Sequence, residues 1–425
     1  MMNYLEMSKD ELKAQLVELQ SEYKKYQDMN LKLDMSRGKP GSEQLDLSEG
    51  LLNTVLTNDD CKALNGLDCR NYGVLDGIPE IKKIFAKILN VTESEIMVGG
   101  NSSLNMMFDT IATMMTANVN GGTPWAKLDK VKWLCPAPGY DRHFSITEYF
   151  GIEMITVPMT PQGPDMDIVE KLVSEDSSIK GIWCVPKYSN PQGVTYSDET
   201  VTRFAKLKPA ADDFRIMWDN AYVIHDIAEN GDKLLSLMDE CKKYGNEDLP
   251  IMFTSTSKIT FPGAGVACMA ASEKNMEFFK KKYTVQTIGY DKINMLRHVK
   301  FFGDYDGLMA HMQKHRALLE PRFEAVVNKL ENKLGGFGIA EWIKPNGGYF
   351  VSVDVLEGCA KRVVQLCKEA GVVLTGAGAT FPYGNDPKDS NIRLAPTLPP
   401  VEELELAMDL FCICTKLAAL EKLTK

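Results

Sequence analysis

Apolar residues recur along this chain with two periods, and each period predicts a kind of element. Leu12, Leu16, Leu19 and Tyr23 follow Ser8 and Glu11 at helical spacing, a capping box ahead of an amphipathic stripe, so a helix is expected over 8–29. A second is expected from Glu80 to Leu89, after the turn from Gly73 to Pro79. Between about 95 and 300, the short apolar runs Val131–Leu134, Ile179–Val185, Arg215–Asp219 and Ile251–Phe253 alternate with helical stretches. That alternation predicts an α/β fold: a mainly parallel sheet covered by helices. A long helical region over 304–334 follows, then an alternating strand Gly347–Val353, a helix Cys359–Ala370, strands Val372–Thr375 and Ile392–Leu394, and an amphipathic helix Pro400–Lys422. This tail reads as a smaller α+β domain completed by the N-terminal segment. The expected division is therefore 1–55 for an arm and part of the small domain, 56–300 for the large domain, and 301–425 for the small C-terminal domain. Residues 36–50, rich in Gly, Ser and Pro, predict a loop over a site.

Composition narrows the function classes. A chain of 425 residues with 44% hydrophobic and 25% charged residues is an ordinary globular one with a sizeable core. Its net charge of −10 speaks against a nucleic-acid surface, which needs clustered Lys and Arg. Ten cysteines without CxxC pairs predict reduced thiols in a cytoplasm, and Cys412 and Cys414 fall on different faces of a helix. Met1-Met2-Asn3-Tyr4-Leu5-Glu6 lacks the basic and apolar regions of an export signal, and no apolar run reaches membrane-spanning length. No metal site is expected.

Chemistry concentrates where strands end, which is where ligands bind in such sheets. Lys258 lies in Ser255-Thr256-Ser257-Lys258, after an apolar strand and before Pro262-Gly263-Ala264-Gly265. A lysine in an apolar pocket loses solvation of its ammonium form and attacks an aldehyde as a neutral amine, while the hydroxyls around it suit a phosphate. Together they point to a lysine carrying pyridoxal phosphate as a Schiff base. Asp219, in Asp219-Asn220-Ala221-Tyr222, suits the carboxylate that keeps a pyridine nitrogen protonated, and Tyr222 and Asn190 suit the ring oxygen. Gly99-Gly100-Asn101-Ser102-Ser103-Leu104 opens the expected helix Asn105–Met115 with free N–H groups for a phosphate. Tyr140 suits stacking on a flat ring. Arg393, inside the apolar run Ile392-Arg393-Leu394, suits the bidentate grip of an α-carboxylate. Taken singly, each also reads as a helix cap, a turn, a core aromatic or a structural ion pair.

Their order is more specific. Asn190 stands 29 residues before Asp219, and Lys258 39 after it, with Tyr140 earlier and Arg393 late. This resembles the class I and II aminotransferases of pyridoxal-phosphate fold type I over nearly the whole chain. The resemblance implies that Lys258 is the Schiff-base and proton-shuttling lysine, with Asp219 on the ring nitrogen and Asn190 and Tyr222 on the ring oxygen. It further implies Tyr140 stacked on the ring, Asn101, Ser102, Ser103, Ser255 and Ser257 at the phosphate, Gly38 beside the substrate and Arg393 on its α-carboxylate. Tyr72 matches the tyrosine that reaches the partner subunit's phosphate, which implies a homodimer. One departure stands out: eight residues after the lysine, where the family usually has a phosphate-gripping arginine, this chain has Val266. Ser36-Arg37-Gly38-Lys39-Pro40, Gly100-Asn101-Ser102-Ser103-Leu104 and Leu296-Arg297-His298-Val299 look like the aspartate aminotransferases of subgroup Ic.

The expected reaction is a ping-pong transfer of an amino group from an amino acid, aspartate or glutamate, to a 2-oxo acid. A dicarboxylic donor needs a second cation, for which Arg37 and Arg297 are the candidates. A β-lyase or decarboxylase on the same scaffold is the alternative. A transcription regulator with an aminotransferase-like domain is disfavoured, because only about 30 residues precede Ser36 and the charge is wrong for DNA. A nucleotide-binding reading of Gly376-Ala377-Gly378-Ala379 lacks a third glycine at Phe381.

Overall fold

The alternating apolar runs assemble into one eight-stranded sheet. Its spatial order is Ile96–Val98, Ala267–Ala271, Pro250–Ser255, Arg215–Asp219, Ile179–Cys184, Lys132–Ala137, Glu153–Thr160 and Gly163–Pro164 in this computed structural model, which describes residues 3–425. Met1 and Met2, where the segment read for an export signal begins, lie outside the described residues. The five strands from Pro250–Ser255 to Glu153–Thr160 pair in parallel. Ala267–Ala271 runs antiparallel between Ile96–Val98 and Pro250–Ser255, and Gly163–Pro164 antiparallel at the far edge. Every residue of Ile179–Cys184, Arg215–Asp219 and Pro250–Ser255 is buried, because helices cover both faces; such strands read as apolar runs and not as alternations. From Lys132–Ala137 the chain passes to a neighbour on one side and returns to Ile179–Cys184 on the other, so a crevice opens at the carboxyl ends of these strands.

The remaining strands form two small sheets. Ala340–Trp342, Val351–Val355 and Asn391–Leu394 pair antiparallel, and Leu33–Asp34 pairs parallel with Val372–Val373. The helix Lys9–Asp28 begins as expected, with Ser8 and Glu11 in a reciprocal capping box. One hydrophobic cluster gathers residues up to Met35 and from Leu319 onward together with Val185, Tyr188, Tyr222 and Ile227, and the two clusters around the large sheet run from Ala63 to Met312. The 30-residue helix Tyr305–Leu334 spans them, its early turns packing on the large sheet's core and its later turns on the other.

Four local expectations need correction. Residues 36–50 are not all loop: Ser42–Asp46 is a short helix, where the Gly41 N–H donates to the Gln44 side chain. The strand expected from Gly347 begins only at Val351, because Gly348 has φ +87 and Gly347 packs directly on Tyr188. The strand expected over Val372–Thr375 stops at Val373, since Thr375 Oγ1 turns to donate to the Ser36 carbonyl. Val401–Leu423 is buried around nearly its whole circumference and is not amphipathic, which explains why Cys412 and Cys414 point different ways and are both buried. All ten cysteines are unpaired and buried. Among the described residues no helix is long and apolar enough to cross a membrane, and no three His, Cys, Asp or Glu are placed to hold a metal ion.

Candidate active site

The segments after four parallel strands converge on one cleft with two chambers. The inner chamber, of about 110 Å³, is lined by Ser102 and Ser103 at a helix start, Ser255 and Ser257, Asp219 and Lys258. The outer chamber, of about 470 Å³, is lined by Arg37, Gly38, Asp141 and Arg393 among others. Tyr140, Asn190, Tyr222 and Lys258 line both and so form the boundary.

Lys258 lies on a turn that three histidines fix from behind. The Thr256 carbonyl accepts from the Ile259 and Thr260 N–H groups, both at 2.9 Å. His298 Nδ1 lies 2.8 Å from the Asn294 carbonyl, which only accepts, so Nδ1 carries the hydrogen. Its Nε2 then accepts from the Thr256 and Thr260 hydroxyls at 3.0 and 2.9 Å. His311 and His315 both direct Nε2 at the Ile259 carbonyl, at 2.8 and 2.9 Å, and therefore both donate. Burial holds His298 and His315 down to about 4. The Lys258 amine sits 5.0 Å from the ring centre of Tyr222 and 5.8 Å from that of Tyr349. Desolvation among these rings lowers its pKa, and the Asp219 carboxylate works against that shift.

Asp219 is buried. Its Oδ2 lies 3.0 Å from His143 Nε2, and His143 stacks on Trp183 at 4.4 Å between ring centres. Its Oδ1 is buried with no partner among the described residues. A buried, unpaired carboxylate oxygen is costly unless a donor is supplied to it. The helix Ser103–Thr116 aims its first N–H groups at the inner chamber; Ser102 caps it by accepting from the Leu104 N–H at 3.2 Å. Ser255 Oγ donates to Ser257 Oγ at 3.0 Å, and Ser257 Oγ to the Asn101 carbonyl at 3.2 Å. Asn101 is exposed and lines neither chamber; it reaches this site only through the carbonyl that holds Ser257. Val266 is buried in the core, and Lys258 is the one cation among the described residues lining the inner chamber.

In the outer chamber Arg393 Nη1 donates to Asn190 Oδ1 at 3.2 Å and to Asp141 Oδ1 at 2.8 Å, and its guanidinium carbon lies 4.8 Å from the Phe350 ring centre. Gly38 is required there: a Cβ on it would lie 2.5 Å from Phe350 Cζ. Arg37, Lys39 and Arg142 line the same chamber, as does Gly376 of the Gly376-Ala377-Gly378 segment. Two expected residues are not brought in. Arg297 lies on the helix Lys292–Phe302 outside both chambers, and Tyr72 is 81% exposed on a turn. Sequence reasoning missed His143, Asp141, Arg142 and Lys39. Asp141 and Arg142 directly follow Tyr140 at a strand end, the signal that marks Tyr140 itself; His143 acts through Asp219 and has no local signal.

A sheet of this order with a desolvated lysine, a buried carboxylate and an arginine at its crevice defines the fold type I pyridoxal-phosphate aminotransferases. The aspartate amino-transferase family model matches residues 7–425, and the chain belongs to that family. An aspartate aminotransferase of Corynebacterium glutamicum is 48% identical over 393 residues, covering 92% of this chain and 90% of that one. A putative aminotransferase of Mycolicibacterium smegmatis is 47% identical over 426 residues, covering 99% of both. The crystal structure of an aspartate transaminase from Corynebacterium glutamicum superposes with a TM-score of 0.97 at 44% identity, covering 99% of both chains.

Proposed function

We propose that this aminotransferase exchanges the amino group of aspartate or glutamate for the oxo group of a 2-oxo acid, with pyridoxal phosphate in the inner chamber. The observation that carries the reading is the pairing of Asp219 Oδ1, a buried acceptor without a donor, with the desolvated Lys258 amine across one small chamber. A protonated pyridine nitrogen is the donor that such an acceptor fits. Pyridoxal phosphate supplies, when bound, an aldehyde and an electron sink for the pair left at the substrate Cα. The protein's own residues do the rest. Asp219, held by His143, keeps the ring nitrogen protonated; Asn190 and Tyr222 hydrogen-bond the ring oxygen, and Tyr140 stacks. Ser102, Ser103, Ser255 and Ser257, with the helix N-terminus, would hold the phosphate through neutral donors in place of the cation absent at Val266, the Asn101 carbonyl positioning Ser257. Lys258 would take the proton from the substrate Cα and deliver it to the cofactor carbon, and its lowered pKa suits it to act as a neutral base. Arg393 grips the α-carboxylate.

The outer chamber supports a dicarboxylic substrate. Arg37, Lys39, Arg142 and Arg393 line it against the single carboxylate of Asp141. Arg37 is the favoured partner for the side-chain carboxylate, ahead of Arg297, which stands outside this chain's cleft. Tyr72 serves the cleft of a second subunit in a homodimer, and the enzyme works in the cytoplasm. The division read from the sequence is a segment over 1–55, a cofactor-binding domain over 56–300 and a C-terminal domain over 301–425; the hydrophobic clusters favour a later last boundary, inside the helix Tyr305–Leu334, since Leu308 and Met312 still pack with the large sheet and Leu319 with the other cluster.

A screen of amino donors and oxo acids with product identification tests the reading. Aspartate with 2-oxoglutarate is expected to give oxaloacetate, and Arg37→Ala to lower the preference for dicarboxylic over neutral donors by about tenfold. Pyruvate with ammonia from a β-substituted donor, and no transamination, would instead identify a lyase.

A further inference from the structure

The Arg393 guanidinium already holds a carboxylate. We infer that Asp141 competes with the substrate's α-carboxylate for Arg393 and must be displaced before substrate is gripped, an inference that rests on Arg393 being the α-carboxylate site. The two partners differ in freedom. The Arg393 side chain is 8% exposed and is fixed by Asn190 and by the Phe350 ring. The Asp141 side chain is 32% exposed at the cleft wall, and among the described residues Arg393 is its one hydrogen-bond partner. Asp141 takes Nη1 alone. Nη2 makes only a 3.5 Å contact with Thr375 Oγ1, and Nε has no partner. This is half of the two-point grip that a guanidinium gives a carboxylate, so an α-carboxylate has donors to gain. It also meets the Asp141 charge at the shared nitrogen, and two carboxylates on one guanidinium repel.

Asp141 has somewhere to go. It opens the helix Asp141–Tyr149, where unpaired N–H groups favour a carboxylate, and Arg37, Lys39 and Arg142 line the same chamber. The fraction of molecules with Arg393 free therefore scales the apparent affinity of every ligand that uses an α-carboxylate, by one common factor. Asp141 is a positioning residue in this sense: it sets KM and leaves the chemical step alone.

The test is Asp141→Asn in the holoenzyme. KM for aspartate and for 2-oxoglutarate is expected to fall together by about fivefold, with kcat held within about twofold. The Kd of succinate, a dicarboxylate with no amino group to react, should fall by a similar factor in calorimetry. Asp141→Glu, which keeps the charge, should leave all three near the parent values. An unchanged or raised KM in Asp141→Asn overturns the inference, a rise meaning that Asp141 holds Arg393 ready for substrate. Should Asp141→Asn fail to fold, Asp141→Ser puts the same question with a side chain suited to a helix start. Arg393→Gln separates the two layers of the argument. If it leaves KM unchanged, the role given to Arg393 fails; if it raises KM while Asp141→Asn lowers nothing, only the competition fails.

Discussion

At the scale of single residues, the cleft is a set of charges balanced against burial. Lys258 has its pKa lowered by desolvation, and Asp219 opposes that shift. The sign of the coupling is therefore fixed: removing the carboxylate leaves desolvation unopposed, and the amine should titrate lower still. In cofactor-free protein, Asp219→Asn is expected to speed modification of Lys258 by an aldehyde reagent near pH 8, read by peptide mass spectrometry across a pH series. A slower reaction would mean that Asp219 does not act on the amine. Lys258→Ala should lose the borohydride-reducible link to the cofactor and at least about a hundredfold in kcat. His143 was invisible in the sequence for a physical reason. It acts through Asp219, 76 positions away, and it stacks on Trp183 from a third strand. No local pattern joins those residues.

At the scale of elements, what was legible depended on whether an element's environment repeats along the chain. The parallel strands showed as apolar runs because both their faces are covered, and the residues after them showed because strand ends are where side chains reach a crevice. The helix Val401–Leu423 misled, since a helix buried on all sides has no polar face to count against the apolar one. The short helix Ser42–Asp46 was hidden by Gly41 and Ser42, which read equally as loop. The Lys258 turn depends on histidines from two distant helices, Lys292–Phe302 and Tyr305–Leu334, which only the fold brings behind it. That support carries a pH signature. His225, His298, His311 and His315 are buried with pKa values depressed, His298 and His315 to about 4. As pH falls from about 6.5 toward 4, the unfolded chain takes up protons that the folded one refuses. Stability present above 6.5 should therefore be lost through that window, by up to about 1.4 kcal/mol per pH unit for each histidine. Urea midpoints between pH 7 and 5 check it, and His298→Asn should flatten the slope. A midpoint constant across that range would mean that these rings accept protons in place.

At the scale of the whole molecule, the proposed homodimer turns on Tyr72, which the chain directs outward. Tyr72 is 81% exposed, and exposed apolar side chains surround its part of the sequence and its neighbouring turn: Leu56, Leu64, Val285 and Ile288. The two turns touch, since a Cβ on Gly289 would lie 2.7 Å from the Gly73 carbonyl. The next residue, Tyr290, packs beside Gly100, two residues before Ser102 of the inner chamber. Tyr72 thus lies outside its own inner chamber, as the proposed homodimer requires of a residue that serves the partner's cleft. The consequence is testable by mixing two crippled proteins. Lys258→Ala lacks the amine but keeps Tyr72, and Tyr72→Ala keeps the amine. If Tyr72 serves the partner's cleft, a mixed dimer holds one cleft lacking both residues and one that is fully native. Unfolding and refolding an equal mixture should then restore about a quarter of parental activity at limiting cofactor, since half the dimers are mixed and each has one good site of two. If Tyr72 serves its own chain's cleft, every site in the mixture lacks one residue or the other, and refolding restores nothing.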